Sequence, residues 1–113
     1  MGSKNEILSN LKLELRKGTL VLAVLSQLKE KHYGYSLVEE LNNKKLKIDQ
    51  NTLYPLLRRL EKQELLTSNW DVNETRPRKY YSLSKLGSEV LTELINEWNN
   101  SNQVISSLIR EGK

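Results

Sequence analysis

The stretch I-D-Q-N-T-L-Y-P-L-L-R-R-L-E-K-Q, residues 48–63, decides the fold. Its leucines recur at intervals of three and four residues, the spacing of one apolar stripe on an α-helix. The other face carries residue types that read base edges in a DNA major groove: Arg for guanine, Asn for adenine and Thr for the thymine methyl group. The stretch therefore predicts a groove helix with Asn51 as its N-cap, although a solvated surface helix would show the same pattern. The predicted DNA contacts on this helix are Asn51, Thr52, Tyr54, Pro55, Arg58 and Arg59.

The positive charge of the chain is concentrated around this helix. The 113 residues carry a net charge of +4. Residues 44–81 contain nine basic and five acidic residues, whereas the rest of the chain contains nine of each. A basic region confined to one part of a chain is expected of a protein that binds a polyanion, although so small an excess also occurs on ordinary surfaces.

Composition argues against several other classes of protein. Cys is absent and His32 is the sole histidine, which excludes disulfides, Cys-based metal sites and a catalytic pair of imidazoles. The adjacent acids Glu39 and Glu40 diverge by about 100° on a helix and cannot converge on one substrate. The polar N-terminus lacks the apolar segment of a signal peptide, and no apolar run approaches the roughly 20 residues of a membrane span. We therefore expect a cytoplasmic protein with no cofactor, no metal, no catalytic residues and no membrane partner.

Three helices are predicted before the groove helix. Residues 5–15 form a short amphipathic helix, and Gly18-Thr19 separates it from a buried helix over residues 20–28. A turn at residues 32–34 leads to a third helix at residues 35–42. The polar segment that follows has the length and composition of the turn in a helix-turn-helix.

Two short strands are predicted after the groove helix. Residues 65–70 are predicted to form the first strand and residues 78–83, whose side chains alternate between two faces, the second; the loop D-V-N-E-T-R-P joins them. The basic residues near this loop are placed to bind phosphate or to reach a minor groove, as the wing of a winged helix does. A hairpin that only covers the core is the alternative, and the basic cluster at the tip favours the wing. The predicted DNA contacts of the wing are Arg76, Arg78 and Lys79.

The last predicted helix begins after the N-cap Ser84 and continues to about residue 109, a length of roughly 37 Å. A domain this small cannot bury such a helix alone, and Leu91, Trp98 and Ile105 keep a seven-residue spacing. That spacing predicts pairing with a partner helix, most simply that of a second copy. The predicted dimer contacts are Leu8, Leu11, Leu91, Leu94, Trp98, Ile105 and Leu108.

The predicted fold class is therefore mainly α with a small β-hairpin. We expect a winged helix-turn-helix with an N-terminal helix in residues 1–83, followed by a long C-terminal dimerisation helix in residues 84–113. The domain is expected to bind double-stranded DNA, and the terminal helix is expected to form a homodimer.

Three blocks of the sequence resemble the PadR family of bacterial winged-helix transcriptional regulators. They are Y-G-Y-S-L-V-E-E-L (33–41), N-T-L-Y-P-L-L-R-R-L-E (51–61) and R-P-R-K-Y-Y-S-L-S-K-L-G (76–87), and the resemblance covers roughly residues 13–87. It implies a winged helix whose dimer forms through the N- and C-terminal helices, and the single C-terminal helix is similar to the short subfamily. One departure is Glu64, where relatives usually carry Gly. A non-glycine residue in a left-handed C-cap costs about 1 kcal/mol.

The resemblance also implies a ligand site. Some relatives of the short type bind flat aromatic or multidrug-like compounds between the two C-terminal helices, with a Trp at the position that matches Trp98. Packing within a dimer is the other interpretation of Trp98.

Three functions are left to distinguish. The first is a homodimeric repressor that reads two half-sites of a pseudo-palindromic operator about one helical turn apart. The second adds release by a small aromatic ligand near Trp98. The third is a ligand-sensing or protein-interaction winged-helix module without sequence-specific DNA binding.

Overall fold

The computed structural model describes residues 3–73 and 75–112. Within them, four helices and three strands follow in this order: α1 (Lys4–Gln27), β1 (His32–Tyr33), α2 (Gly34–Asn43), α3 (Gln50–Lys62), β2 (Leu66–Asp71), β3 (Arg78–Leu83) and α4 (Lys85–Glu111). The strands form an antiparallel sheet in the order β1-β3-β2. This architecture confirms the predicted mainly helical fold with a β-hairpin wing. Residues 1, 2, 74 and 113, which the predicted division of the chain includes, lie outside the described residues.

The first helix is longer than predicted. The two segments expected on either side of Gly18-Thr19 form one continuous helix, so the predicted break is wrong. Gly18 keeps a negative φ, and the Thr19 hydroxyl donates to the carbonyl oxygen of Arg16 at 2.7 Å. A single Gly in a helix interior costs about 1 kcal/mol relative to Ala, which the neighbouring turns outweigh.

The core forms around the leucine stripe of α3. Leu53 and Leu57 are fully buried, and Leu56 and Leu60 are nearly so. They pack against the C-terminal half of α1, the inner face of α2 and the start of α4. Burial of this stripe fixes which face of α3 is left for solvent. The other core residues are Val24, Leu25, Leu28, Leu37, Leu41, Ile48, Leu66, Tyr81 and Leu91.

Helices α2 and α3 end in the same way. Glu64 has a φ of 65°, its N–H donates to Glu61, and the next N–H donates to the carbonyl oxygen of Leu60. Lys45 repeats this geometry after α2, with a φ of 73°. Both are Schellman ends, a motif that usually places Gly at the left-handed residue. The expected left-handed cap at Glu64 is therefore present, and it stops α3 just before the wing.

Helix α3 starts two residues earlier than predicted. Asp49, not Asn51, is the N-cap, and its side chain accepts a hydrogen bond from the Thr52 N–H at 2.9 Å. Asn51 is consequently inside the first turn, and Pro55 lies within the helix. Pro55 has no N–H to donate to the Asn51 carbonyl oxygen.

The sheet contains a strand that was predicted to be a turn. His32 and Tyr33 pair with β3 opposite Tyr81 and Tyr80. The Tyr33 ring meets Tyr80 edge to face at 5.9 Å, and its hydroxyl donates to Asp71 at 2.8 Å. These contacts join the start of α2 to the wing. A two-residue strand has no alternation that the sequence could reveal.

Helix α4 begins at the predicted N-cap. The Ser84 side chain caps it by accepting from the Gly87 N–H at 2.9 Å. Gly87 is required here because a Cβ at this position would lie 2.0 Å from the Leu65 carbonyl oxygen. The first half of α4 contributes Leu91 to the core and packs against α1. Among the described helices, none is long and apolar enough to cross a bilayer.

Candidate nucleic-acid interface

The outward face of α3 carries three of the predicted DNA contacts. Asn51, Pro55 and Arg58 are exposed and lie opposite the buried leucine stripe. Tyr54 is half-buried at the edge of this face, against the first residue of α2. A Cβ at Gly34 would lie 2.7 Å from the Tyr54 ring, so Gly34 permits the close approach that sets the ring position.

Two other predicted contacts are on the flank of α3 away from the wing. Thr52 and Arg59 are exposed and lie about 120° and about 100° around the helix from Arg58. Thr52 borders a separate depression between the start of α3 and α1, together with Arg16 and Lys47. These two residues therefore lie on the flank of α3 rather than on its outward face.

A cleft of about 690 Å³ lies between α3, the start of α2 and the wing. Five of the nine predicted DNA contacts line it, and four of those five are cations at neutral pH. The cleft thus brings together basic side chains that are up to 21 residues apart in the sequence. The predicted residues that line it are Tyr54, Arg58, Arg76, Arg78 and Lys79.

Lys79 already has a partner on α3. Its ammonium donates to Glu61 Oε1 at 3.1 Å, and the other oxygen of that carboxylate accepts from the Ser68 hydroxyl. The Ser68 and Lys79 hydrogen bonds hold the pKa of Glu61 below its usual range, with burial acting in the opposite direction. Burial lowers the pKa of Lys79, but its contacts with Glu61 and Tyr81 outweigh that effect and raise it. This cluster ties the wing to α3.

Arg78 lies in the last strand pair before the wing loop. Its guanidinium lies 5.6 Å from the centre of the Tyr33 ring. It is paired across the hairpin with Asp71, whose pKa is lowered chiefly by the hydrogen bond from Tyr33 and also by nearby Lys31 and Arg78. Arg76 lies further out, exposed in the loop between the strands. The wing therefore presents one cation in its loop and two on β3 that also contact other residues of the protein.

Sequence reasoning missed several residues that line the cleft. Trp70 on β2 is 63 % exposed, and Tyr35 at the start of α2 is 53 % exposed. The other lining residues that it missed are Tyr33, Gly34, Gln50 and Tyr81. The available signal was Trp70, because it is the last residue of the first predicted strand and directly precedes the wing loop.

The residues predicted for dimer contacts separate into buried and exposed groups. Leu91 is only 2 % exposed and packs inside the core of its own chain, so it offers no surface to a partner. Leu94 is half-buried against that core. The others are exposed on the two long helices, from 42 % to 56 % of their surface: Leu8, Leu11, Trp98, Ile105 and Leu108.

Comparisons with known proteins agree with the fold. Residues 21–93 match the transcriptional regulator PadR-like family. A PadR family transcriptional regulator from Eggerthella lenta has a crystal structure that is 48 % identical in sequence, with a TM-score of 0.87 over 93 % of this chain and 94 % of that chain. Transcriptional regulator Rv3488 from Mycobacterium tuberculosis is 38 % identical over 61 residues, which are 54 % of this chain and 57 % of that protein.

A further structure shares the fold at lower identity. Bacillus subtilis PadR, crystallised in complex with operator DNA, is 21 % identical, with a TM-score of 0.62 over 68 % of this chain and 45 % of that chain. The matched family segment contains α2, α3 and the wing, which are the elements that build the cleft, together with the beginning of α4. On this evidence the chain belongs to the PadR-like family of transcriptional regulators, as the three sequence blocks predicted, and its role is regulatory rather than enzymatic.

Proposed function

We propose that the chain is a homodimeric repressor that binds a pseudo-palindromic operator, with one α3 in each of two major grooves. The observation that carries the proposal is the arrangement of α3, whose leucine stripe is buried while Asn51, Pro55 and Arg58 face solvent. Arg and Asn at such positions form bidentate bonds to guanine and adenine. The similar fold of Bacillus subtilis PadR, which was crystallised with operator DNA, supports this assignment.

The wing and the flank of α3 are proposed to bind the backbone. Arg76 and Arg78 lie across the cleft from α3, where the wing meets the phosphates that border the groove. Thr52 and Arg59 lie on the flank of α3 away from the wing and are proposed to contact the backbone there. Lys79 is proposed to add a backbone contact while its bond to Glu61 holds the wing in place.

The test of DNA binding is the selection of bound duplexes from a random library, followed by anisotropy titration of the selected duplex. The proposal expects enrichment of a sequence with twofold symmetry and half-sites about 10 base pairs apart. Arg58→Ala should lower the affinity and relax the preference for one base pair in each half-site, by roughly 1–3 kcal/mol. Arg110→Ala, at the far end of α4, serves as the matched control. Absence of duplex binding at about 50 mM salt would favour the interpretation as a protein-interaction module.

The dimer is proposed to form through α1 and α4, with residues 84–113 as the dimerisation helix. Exposed apolar side chains continue along both helices, including Leu15 at 82 % and Ile109 at 67 % exposure. A continuous apolar surface of this kind marks an interface. A second copy covers it most simply, since twofold pairing buries the same surface on both chains.

Sedimentation of two leucine variants tests the dimer. Leu11→Glu places a charge on the proposed interface, because Leu11 shares a face of α1 with Leu8 and Leu15. Leu13→Glu is the matched control, since Leu13 is 65 % exposed on the opposite face of the same helix. The wild type and the Leu13 variant should sediment as dimers at micromolar concentration, and the Leu11 variant as a monomer. A monomeric wild type would refute the dimer.

A second candidate is release from DNA by a small aromatic or multidrug-like ligand. It is favoured by Trp98, a large aromatic side chain that is 46 % exposed on the proposed interface helix. Fluorescence titration with planar cationic and phenolic compounds should quench Trp98 if they bind there. Quenching that persists in Trp98→Phe would place the compounds elsewhere.

A regulator of this kind acts beside the chromosome, so the proposal includes a cytoplasmic location.

A further inference from the structure

Trp70 occupies an unusual position on the wing. It is the fifth residue of β2, it is 63 % exposed, and it lies opposite Lys79 across the hairpin. An indole exposed to water to this extent contributes little to the stability of the fold. Its position on the strand nevertheless fixes its direction, because Ser68 on the same face of β2 bonds to Glu61 of α3. Trp70 therefore faces the cleft between the wing and α3.

The composition of this cleft matches one particular ligand. Aromatic rings from three elements line it, namely Tyr35, Tyr54 and Trp70, and the guanidinium groups of Arg58 and Arg76 lie among them. A DNA strand alternates apolar deoxyribose with anionic phosphate, so a surface of rings and cations complements it. A cleft built only for phosphate would not need the rings.

The architecture places a single strand in this cleft. If α3 enters a major groove and the wing reaches the adjacent minor groove, the sugar-phosphate strand that separates the two grooves passes between α3 and the wing. We propose that Trp70 is a DNA-contacting residue whose indole packs on this strand. The inference rests on the proposed DNA binding and adds a contact of an apolar, sequence-independent kind.

Two properties distinguish such a contact from those of the arginines. Loss of the ring should weaken operator and unrelated duplexes by the same factor, because deoxyribose is common to all sequences. It should also leave the slope of log K against log [salt] unchanged, because the indole carries no charge and releases no counterions. An arginine that binds phosphate changes that slope.

The binding test compares Trp70→Ala with Val72→Ala. Val72 is a matched control because it is apolar, 70 % exposed and two residues further along the wing, but does not line the cleft. Trp70→Ala should weaken both duplexes roughly a hundredfold, about tenfold for each of the two rings that a dimer carries, at an unaltered salt slope. Val72→Ala should bind as the wild type does. Equal affinities for wild type and Trp70→Ala, or equal losses in the two variants, would overturn the proposal.

A direct readout uses the wild-type chain labelled with 5-fluorotryptophan. The chain has two tryptophans and therefore two fluorine resonances, and the one missing from Trp70→Phe belongs to Trp70. Saturating duplex DNA should shift that resonance in step with binding measured by anisotropy. An unmoved Trp70 resonance on a saturated complex refutes this inference while leaving the DNA-binding function intact. Failure to bind any duplex at low salt refutes both.

Discussion

Replacing Arg76 should reduce the salt dependence of DNA binding far more than replacing Lys79. Arg76 is exposed in the wing loop and lines the cleft, so its charge is available to displace counterions from DNA. The Lys79 ammonium lies 3.1 Å from Glu61 Oε1, and its charge is already balanced within the protein. Two neighbouring cations of the same wing are thus expected to behave differently.

The size of the effect follows from counterion release. Each phosphate neutralised contributes about 0.9 to the slope of log K against log [salt]. A dimer carries Arg76 twice, so Arg76→Ala should lower the slope by about 1.8. Between about 50 and 200 mM salt, the loss of affinity should then be about 12-fold smaller than for the wild type. Lys79→Ala should change the slope by clearly less, and Glu61→Gln should increase it because it frees the Lys79 charge.

The assay is fluorescence anisotropy of a labelled duplex, titrated at four or more salt concentrations with each variant. Arg110→Ala removes a cation from the end of α4 and should leave the slope unchanged. Equal slopes for Arg76→Ala and the wild type would show that the wing loop does not contact phosphate. Equal reductions by Arg76→Ala and Lys79→Ala would show that the Glu61 pair opens on DNA.

Three further predictions concern the frame that holds this interface. Glu64→Gly should raise the free energy of unfolding by about 1 kcal/mol, because the φ of Glu64 is 65°. Gln63→Gly, at a φ of −79°, should lower the free energy of unfolding. Urea denaturation measures both changes. Gly87→Ala should lower the thermal midpoint severely, since its Cβ would meet the Leu65 carbonyl oxygen, and a midpoint within a few degrees of wild type would contradict the packing. The pKa of Glu61 lies below its ordinary 4.5 in the folded chain. The ionised carboxylate therefore stabilises the folded state above pH 4.5, and this contribution is lost as the pH falls through the lowered pKa. The difference in unfolding free energy between wild type and Glu61→Gln should accordingly shrink on acidification.

The sequence alone determined those elements whose signal is local. The leucine spacing from Leu53 to Leu60 identified α3 and its buried face, because a helix repeats every 3.6 residues. Alternation identified β3 with its observed bounds, and the Ser84 hydroxyl marked the start of α4. The left-handed cap at Glu64 came from the resemblance to relatives, and the φ of 65° confirms it.

Other features of the sequence misled because local signals are weak there. Gly18 and Thr19 were interpreted as a break, yet the helix continues since tertiary packing of the segment after them outweighs the low helix propensity of these two residues. Asn51 and Asp49 are both good N-caps, and only the backbone conformation at Asp49 decides between them.

Tertiary structure alone decided how the candidate interface is assembled. The Tyr33 hydroxyl reaches Asp71 across 38 residues, and Lys79 reaches Glu61 across 18. Contacts over such distances leave no periodic trace in a sequence, because they depend on where the chain returns after each turn. The same return of the chain sets Trp70 beside Arg58 and Tyr54 on one cleft. Composition could show that cations and aromatic rings were present, but only folding determined which of them face one another and which are already paired.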